Sequence, residues 1–481
     1  MNTEVKDKVP LGIRMSWGAG GLSSYILANV FFAFGQPIYQ VALKLEPVTV
    51  GLLIALPQFL GLVFDPLLGN ITDNARTKWG RRRPFILLGA VGTAVLLPLL
   101  WMMPFSSNTG MLIYFLIIGI AFSIFRTFFE IPYTALGYEL TADYDERSRV
   151  LAWRMYVGFA GMLLMPWLYK FCLLPYFKNL AAPGMPYEII GVRWVSLVLS
   201  AVVLATALLV VCSCRESVTH QNREKIGILK ALSCTFKNRA FLLLLGVKLV
   251  LCVGIAIVGA LPLYINLYYV CMGEQAMSSD ALQMSKGLWG SIAGWMGMAM
   301  GLSSYVALPL ATWLSTHTSK RTTMAVSLSI ALLGYASMWF TFNPANPWLQ
   351  LISSIVGNFG MVGCWLMMSS MVADVCDEDE VETGLRREGV YSASVAFTEK
   401  LAFAITTALS GFVLSLAGFH NGTSDSIGVP VEVILRMKGM LVGSQVLAIL
   451  LGLLGCLLYP ITRERSEATR RKLEARKVKP E

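Results

Sequence analysis

The sequence predicts an all-α membrane protein with twelve transmembrane helices in two six-helix halves. Three observations carry that prediction. Of 481 residues, 56% are hydrophobic and only 14% are charged, with a mean hydropathy of +0.62; a soluble domain of this size needs far more polar surface. The apolar residues gather into twelve runs, each near the roughly 20 residues that cross a bilayer. Lysine and arginine, finally, concentrate in every second connection, as they do when loops alternate between two sides of a membrane.

The runs fall at about 16–40, 47–72, 84–104, 110–138, 149–170, 192–214, 240–270, 288–316, 322–342, 347–373, 391–418 and 436–460. Non-helical backbone cannot face lipid, so each run is expected to be a helix. The connection after the second run holds Arg76, Lys78, Arg81, Arg82 and Arg83. After the sixth come Arg215, Arg223, Lys225, Lys230, Lys237 and Arg239, after the eighth Lys320 and Arg321, and the chain closes on RERSEATRRKLEARKVK. The connections after the third and ninth runs carry neither lysine nor arginine. Both termini are therefore expected in the cytoplasm, in a bacterial inner membrane.

The basic linker 215–239 divides the chain into halves at 1–214 and 240–460, with a basic tail at 461–481. TADYDERSR (141–149) and VADVCDEDEVETGLRR (372–387) echo each other after the fourth and tenth runs, the mark of a degenerate internal repeat. The net charge of +10 is accounted for by loops on one side of the bilayer, so nucleic acid is not an expected partner. Nine cysteines lie scattered, no CxxC occurs and there are three histidines, which argues against a metal site or a disulfide framework. The charged start, MNTEVKDKVPLGIRM, runs into a segment long enough to span and does not resemble a cleavable leader. No nucleophile, metal or cofactor constellation stands out, so no enzyme, catalytic residue or resident metal is expected.

Ionisable residues inside spans cost several kcal/mol, roughly 2.5–3.5 each on insertion scales, and usually line a pathway or pair internally. Asp65, Arg126, Glu130, Arg154 and Lys400 stand out, with Lys248 and Glu399 behind them. Arg126 and Glu130 are four residues apart and share a helix face. Asp65 and Glu130 each precede a proline (Pro66; Ile131-Pro132) that frees a backbone carbonyl one turn earlier. A carboxylate beside such a carbonyl suits a cation or a proton. The alternative is a static ion pair of Asp65 or Glu130 with Arg126. Gln36, Tyr39, Gln58, Tyr133, Tyr264, Asn266 and Trp365 are candidates for polar-ligand contacts, Trp365 foremost because it lies mid-span.

The stretches FDPLLGNITDNARTKWGRRRPFILLGA, EIPYTALGYELTADYDERSR and CWLMMSSMVADVCDEDEVETGLRREGVYSASVAFTEK, with SWGAGGLSSY near the start, resemble glycoside–pentoside–hexuronide:cation symporters of the major facilitator superfamily. The resemblance implies the twelve-helix major facilitator fold and cation-coupled import of a sugar by alternating access. It implies Asp65 and Glu130 for the cation. For the substrate it implies Arg154, Trp365 and Lys400; Tyr25 and Gln36 are further substrate-contact candidates. The family's first acid on the second helix falls on Gly61, its neighbouring Asn on Phe64, and a family tyrosine on Arg126. The first-helix Lys-Asp pair falls on Ser24 and Tyr25. Two missing oxygen ligands make a proton the expected coupling ion rather than sodium. Arg126, Arg154 and Lys400 together would suit an acidic sugar; Arg126 neutralising Asp65 or Glu130 is the rival account.

Asp73 with Arg81, Arg82 and Arg83, Asp145 with Arg147 and Arg149, and Asp374, Asp377, Arg386 and Glu388 lie at the basic ends of the spans. They are expected to gate that side. A small sugar, a coupling cation and the lipid bilayer are the expected partners of a monomer. A lysolipid or amphiphile carrier of the same fold, or a non-transporting sugar sensor, are the alternatives.

Overall fold

The computed structural model describes residues 9–75, 77–104, 107–140, 144–181, 185–214, 238–259, 261–272, 279–383, 388–418, 430–461 and 463–478. The helices are α1 (Leu11–Gly35, continued by a π-helical Gln36–Ala42), α2 (Pro47–Asn74), α3 (Arg83–Leu99), α4 (Asn108–Glu139), α5 (Tyr144–Cys172) and α6 (Tyr187–Ser213). They continue as α7 (Arg239–Ala256), α8 (Ser279–His317), α9 (Lys320–Thr341), α10 (Gln350–Thr383), α11 (Glu388–Leu416), α12 (Val431–Leu458) and α13 (Arg463–Val478). After α7 the chain runs on through a short helix, Leu261–Ile265, and a π-helical turn, Asn266–Val270. Ten predicted runs each fall on one helix, and the first and seventh continue from α1 and α7 into the helical segments that follow them. Among the described residues eight helical segments are long and apolar enough to cross a membrane, and α1 with its extension, bent by 41°, makes a ninth if taken as one span. The basic tail, which carries no apolar run, is helical as α13.

Local chemistry sets the ends. Ser107, Asn238 and Ser319 cap α4, α7 and α9, accepting from the backbone N–H of Gly110, Phe241 and Thr322 at 3.1 Å each. Proline opens α2 and α3, where a missing N–H costs nothing.

The described chain forms two compact units. The first holds α1–α6 and Gln283–Gly301 of α8; the second holds α7, the rest of α8 and α9–α13. In the first, α1 packs on α5 and α6, and α3 on α4 and α6; in the second, α7 packs on α11 and α12, and α9 on α10 and α12. The repeat hinted at by the sequence is thus repeated packing.

It is also repeated capping. Arg83, opening α3, donates to the Val211 carbonyl at the end of α6, at 2.7 Å. Arg321, near the start of α9, donates to the Leu457 carbonyl at the end of α12. At the opposite ends, Arg193 of α6 donates to the Trp101 and Met102 carbonyls beyond α3, at 2.9 and 2.6 Å. Lys438 of α12 donates to the Phe342 carbonyl beyond α9, at 2.9 Å. Each cation satisfies carbonyls that a helix terminus leaves orphaned and neutralises the negative end of its dipole. Arg83, read from sequence as a gate residue, is occupied in this way.

Small residues let helix backbones touch where lipid offers no hydrophobic drive. A Cβ on Gly89 of α3 would sit 2.3 Å from the Phe129 backbone nitrogen of α4. One on Gly360 of α10 would sit 2.4 Å from both the Ala331 nitrogen and the Ser327 oxygen of α9. Backbone cannot yield as a side chain does. Gly360→Ala is therefore expected to cost about 1–3 kcal/mol, whereas Gly246→Ala, which meets nothing within 4 Å, should be neutral. Melting of the purified protein in detergent checks this; equal melting temperatures for the two variants would contradict it.

Candidate functional site

In the first unit the polar residues of α1, α2, α4 and α5 converge. Arg154 donates to Glu130 Oε1 at 2.6 Å and to Ser24 Oγ at 3.2 Å, and its guanidinium lies 5.1 Å from the centroid of the Tyr133 ring. The side chains of Arg154 and Glu130 are 24% and 28% exposed, so the pair is mostly removed from solvent. Tyr133 is itself fixed: its hydroxyl donates to the Trp17 carbonyl at 2.9 Å, and the Trp17 indole returns a bond to the Tyr133 carbonyl at 3.2 Å. Gly20 lets the Tyr133 ring in, since a Cβ there would lie 2.4 Å from it. This buried frame holds the cation–carboxylate pair in one geometry.

The spacing of Arg126 and Glu130 suggested each other as partners. Instead Arg126 donates to Gln58 Oε1 at 3.3 Å, and among the described residues no carboxylate pairs with it. The Gln58 amide nitrogen is buried without an acceptor among the described residues. Thr134 donates to Glu130 at 3.4 Å. Asp65 lies on α2, two turns beyond Gln58; its side chain is outside the described residues. Tyr25 is half-buried, its ring packed where a Cβ on Gly161 of α5 would lie 2.6 Å away. Gln36 is buried at the first position of the π-helical turn.

The second unit carries its own mid-span polar set. Trp365 of α10 is half-buried, and the Lys248 ammonium of α7 lies 5.4 Å from its ring centroid. Lys248 forms an ion pair with Glu399 of α11. Lys400, the neighbouring residue, is exposed. Asn358, two turns before Trp365, donates to Ser303 and Ser304 of α8 at 3.0 Å each. Sequence reasoning ranked Lys248 and Glu399 low because each alone reads as a stray charge.

Of the gate residues, Asp374 is buried and bound by Lys320 at 2.7 Å and by the Ser466 hydroxyl of α13 at 3.1 Å. Arg465 of α13 pairs with Glu378, and Arg463 donates to the Thr318 carbonyl at 2.7 Å. Tyr459, just past α12, donates to the Met371 carbonyl at 3.2 Å. Burial and the Asp374 and Glu378 carboxylates raise its phenol well above the usual range, which keeps it a donor. The tail thus docks on the acidic end of α10, a role its charge pattern did not announce. Arg81 is half-buried, Arg82 buried and Asp377 half-buried. The side chains of Asp73, Asp145, Arg147, Arg149 and Glu388 lie outside the described residues, as does Arg386 altogether.

One further ion pair escaped sequence reasoning. Glu188 in the first turn of α6 accepts from Lys286 of α8 at 2.8 Å, with side chains 3% and 9% exposed. Gln283 and Tyr187 hydrogen-bond beside it, and Trp295 meets Trp167 edge-on.

A family model described as MFS/sugar transport protein matches residues 16–463. The isoprimeverose transporter of Lactiplantibacillus pentosus is 22% identical over 419 residues, covering 86% of this chain and 82% of that one. The sodium-dependent lysophosphatidylcholine symporter 1-A of Danio rerio is 22% identical over 502 residues, covering 98% and 90%. Among solved structures, a bacterial homolog of the human lysosomal transporter Spinster, inward-facing and unoccupied, aligns with a TM-score of 0.65 at 12% identity over 96% of this chain and 97% of that one.

Proposed function

The chain belongs to the MFS/sugar transport protein family, and on that premise we propose that it is a proton-coupled symporter of a glycoside, oligosaccharide or acidic sugar, working by alternating access. It is a multi-pass membrane protein of the major facilitator fold. The proposal puts it, as a monomer, in a bacterial inner membrane with both termini in the cytoplasm; the run of lysines and arginines behind even-numbered spans supports that orientation.

The observation that carries proton coupling is the state of Glu130. A sodium site needs several oxygen ligands, and here Gly61 and Phe64 stand where two are expected, while Glu130 is engaged by Arg154. Asp65 is then the carboxylate left to load and release a proton within a span. Arg126, whose only described hydrogen-bond acceptor is the neutral Gln58 amide, and the Gln58 amide nitrogen, buried without a described acceptor, favour an acidic group on the substrate.

Uptake into proteoliposomes tests the coupling ion. A proton gradient should drive sugar accumulation at equal sodium on both sides, and Asp65→Asn should abolish the accumulation. Uptake that follows a sodium gradient at constant pH, and ignores the proton gradient, would refute proton coupling. The likeness to a lysophosphatidylcholine symporter sustains a second reading, an amphiphile carrier. Thermal-shift titration with neutral glycosides, glucuronides and lysophosphatidylcholine separates the two; binding without any uptake would favour a sensor.

A further inference from the structure

We propose that α13 is an exchangeable arm whose second partner, in place of the acidic end of α10, is a bilayer surface rich in anionic phospholipid. The proposal holds whichever sugar or ion the protein carries, and it concerns a helix that plays no part in the transport reading above.

The first argument is how α13 is held. A helix of 16 residues is marginal in water by itself and normally persists by packing an apolar face. Among the described side chains of α13 the buried one is Thr469, with Ser466 half-buried; Arg463, Arg465, Arg471 and Lys472 stand exposed. Polar contacts therefore hold the helix: Arg463 to the Thr318 carbonyl, Arg465 to Glu378 and Ser466 to Asp374. Arg465 is 51% exposed in its pair, so water and salt compete for it. Release strands little. Asp374 keeps Lys320, which holds both of its oxygens at 2.7 Å. Tyr459 keeps the Met371 carbonyl, so the chain stays anchored close to the start of the arm. The Glu188–Lys286 pair provides the contrast, with both partners buried.

The second argument is charge and place. From Arg463 to Glu481 the chain carries eight Lys or Arg against four Asp or Glu. Arg463 and Arg465 reach the rest of the protein, whereas Arg471 is 81% exposed beside Glu467 of its own helix, and Lys472 is exposed. Residues 459–462 join α12 to α13, so the arm begins within about 17 Å of the end of a span. Lysines and arginines so close to a span are drawn to anionic headgroups, each about as strongly as one exposed ion pair holds. The acidic end of α10 and an anionic surface thus compete for the same charges on nearly equal terms. While docked, Arg463 and Arg465 tie the ends of α8 and α10 together, so lipid composition sets how firmly those ends are joined.

The test is the rate at which a maleimide labels Thr469→Cys in the full-length protein, held in nanodiscs. Cys212 is exposed and Cys234 lies in the basic linker, so both are first replaced by serine and the labelling of that background is subtracted. Thr469 is 9% exposed when α13 is docked, and its hydroxyl donates to the Arg465 carbonyl of its own helix, so the cysteine should leave docking intact. Labelling should be slow in phosphatidylcholine, and about fivefold or more faster when about a third of the lipid is phosphatidylglycerol. Arg465→Glu should label fast in both lipids, and Arg465→Glu/Glu378→Arg should be slow again in phosphatidylcholine. Free glycerophosphoglycerol added to phosphatidylcholine discs should leave labelling slow, because isolated anions carry no surface potential. Labelling of Thr469→Cys equal within about twofold in the two lipids would overturn the proposal. Release by the free headgroup would overturn it too, by making a soluble anion the partner.

Discussion

Glu188→Ala is expected to destabilise the protein by about 3–5 kcal/mol, the cost of stranding one member of a buried ion pair. Lys286 would be left 9% exposed with its carboxylate gone. Its surroundings offer little relief: Tyr187 is engaged by Gln283 and by the Lys178 ammonium 5.5 Å above its ring. Nor can the helices drift apart to admit water cheaply. Close packing between α5 and α8 fixes them, since Cβ atoms on Gly294 and Gly297 would meet Trp167 and Pro166 at 2.5 and 2.3 Å. Glu188 also occupies the first turn of α6, where a negative charge is favoured by the helix dipole, and that contribution is lost as well. The double variant Glu188→Leu/Lys286→Met should recover most of the loss, because an apolar pair of similar volume bears no desolvation penalty. Melting in detergent, with size-exclusion to follow the folded fraction, reads both effects. A single variant that melts with the parent would show that the pair is hydrated rather than buried.

Arg154→Ala is expected to abolish uptake, and Arg154→Lys to reduce it about tenfold or more. Arginine presents a planar fork, and here it spans Glu130 and Ser24 while lying over the Tyr133 ring. Lysine brings one ammonium, which can hold Glu130 but not both partners and the ring at once. A charge-assisted bond contributes about 1.5–3 kcal/mol, enough for the expected loss. Removal of the guanidinium also leaves Glu130 without its cation in a membrane span, which a proton would then have to neutralise. Glu130→Gln is the companion: it should keep the fold and impair uptake, since the geometry of Arg154 depends on the carboxylate. Uptake rates for Arg154→Lys equal to those of the unmodified protein would remove Arg154 from the transport machinery.

Hydropathy made the twelve spans legible, because a span is a local property: enough consecutive apolar residues cross a bilayer whatever lies elsewhere in the chain. The echo between 141–149 and 372–387 pointed to a repeat for the same reason. Partner choice was another matter. Arg126 and Glu130 stand one helical turn apart, and spacing alone couples them. In the folded protein α5 brings Arg154 to Glu130, while α2 brings Gln58 to Arg126. Lys248 and Glu399 are far apart in sequence and meet because α7 packs on α11. Arg83 and Arg321 read as topology signals, yet each closes the end of a helix contributed by a distant segment, as Arg193 and Lys438 do at the opposite ends.

The sequence by itself therefore determined the class, the number of spans and which residues are out of place in lipid. Those follow from the energy of transferring each side chain from water, a sum taken along the chain. Tertiary structure decided which charge neutralises which, and which donors are left for a ligand. Those depend on distances of a few ångströms between helices, and no property of a single segment encodes them.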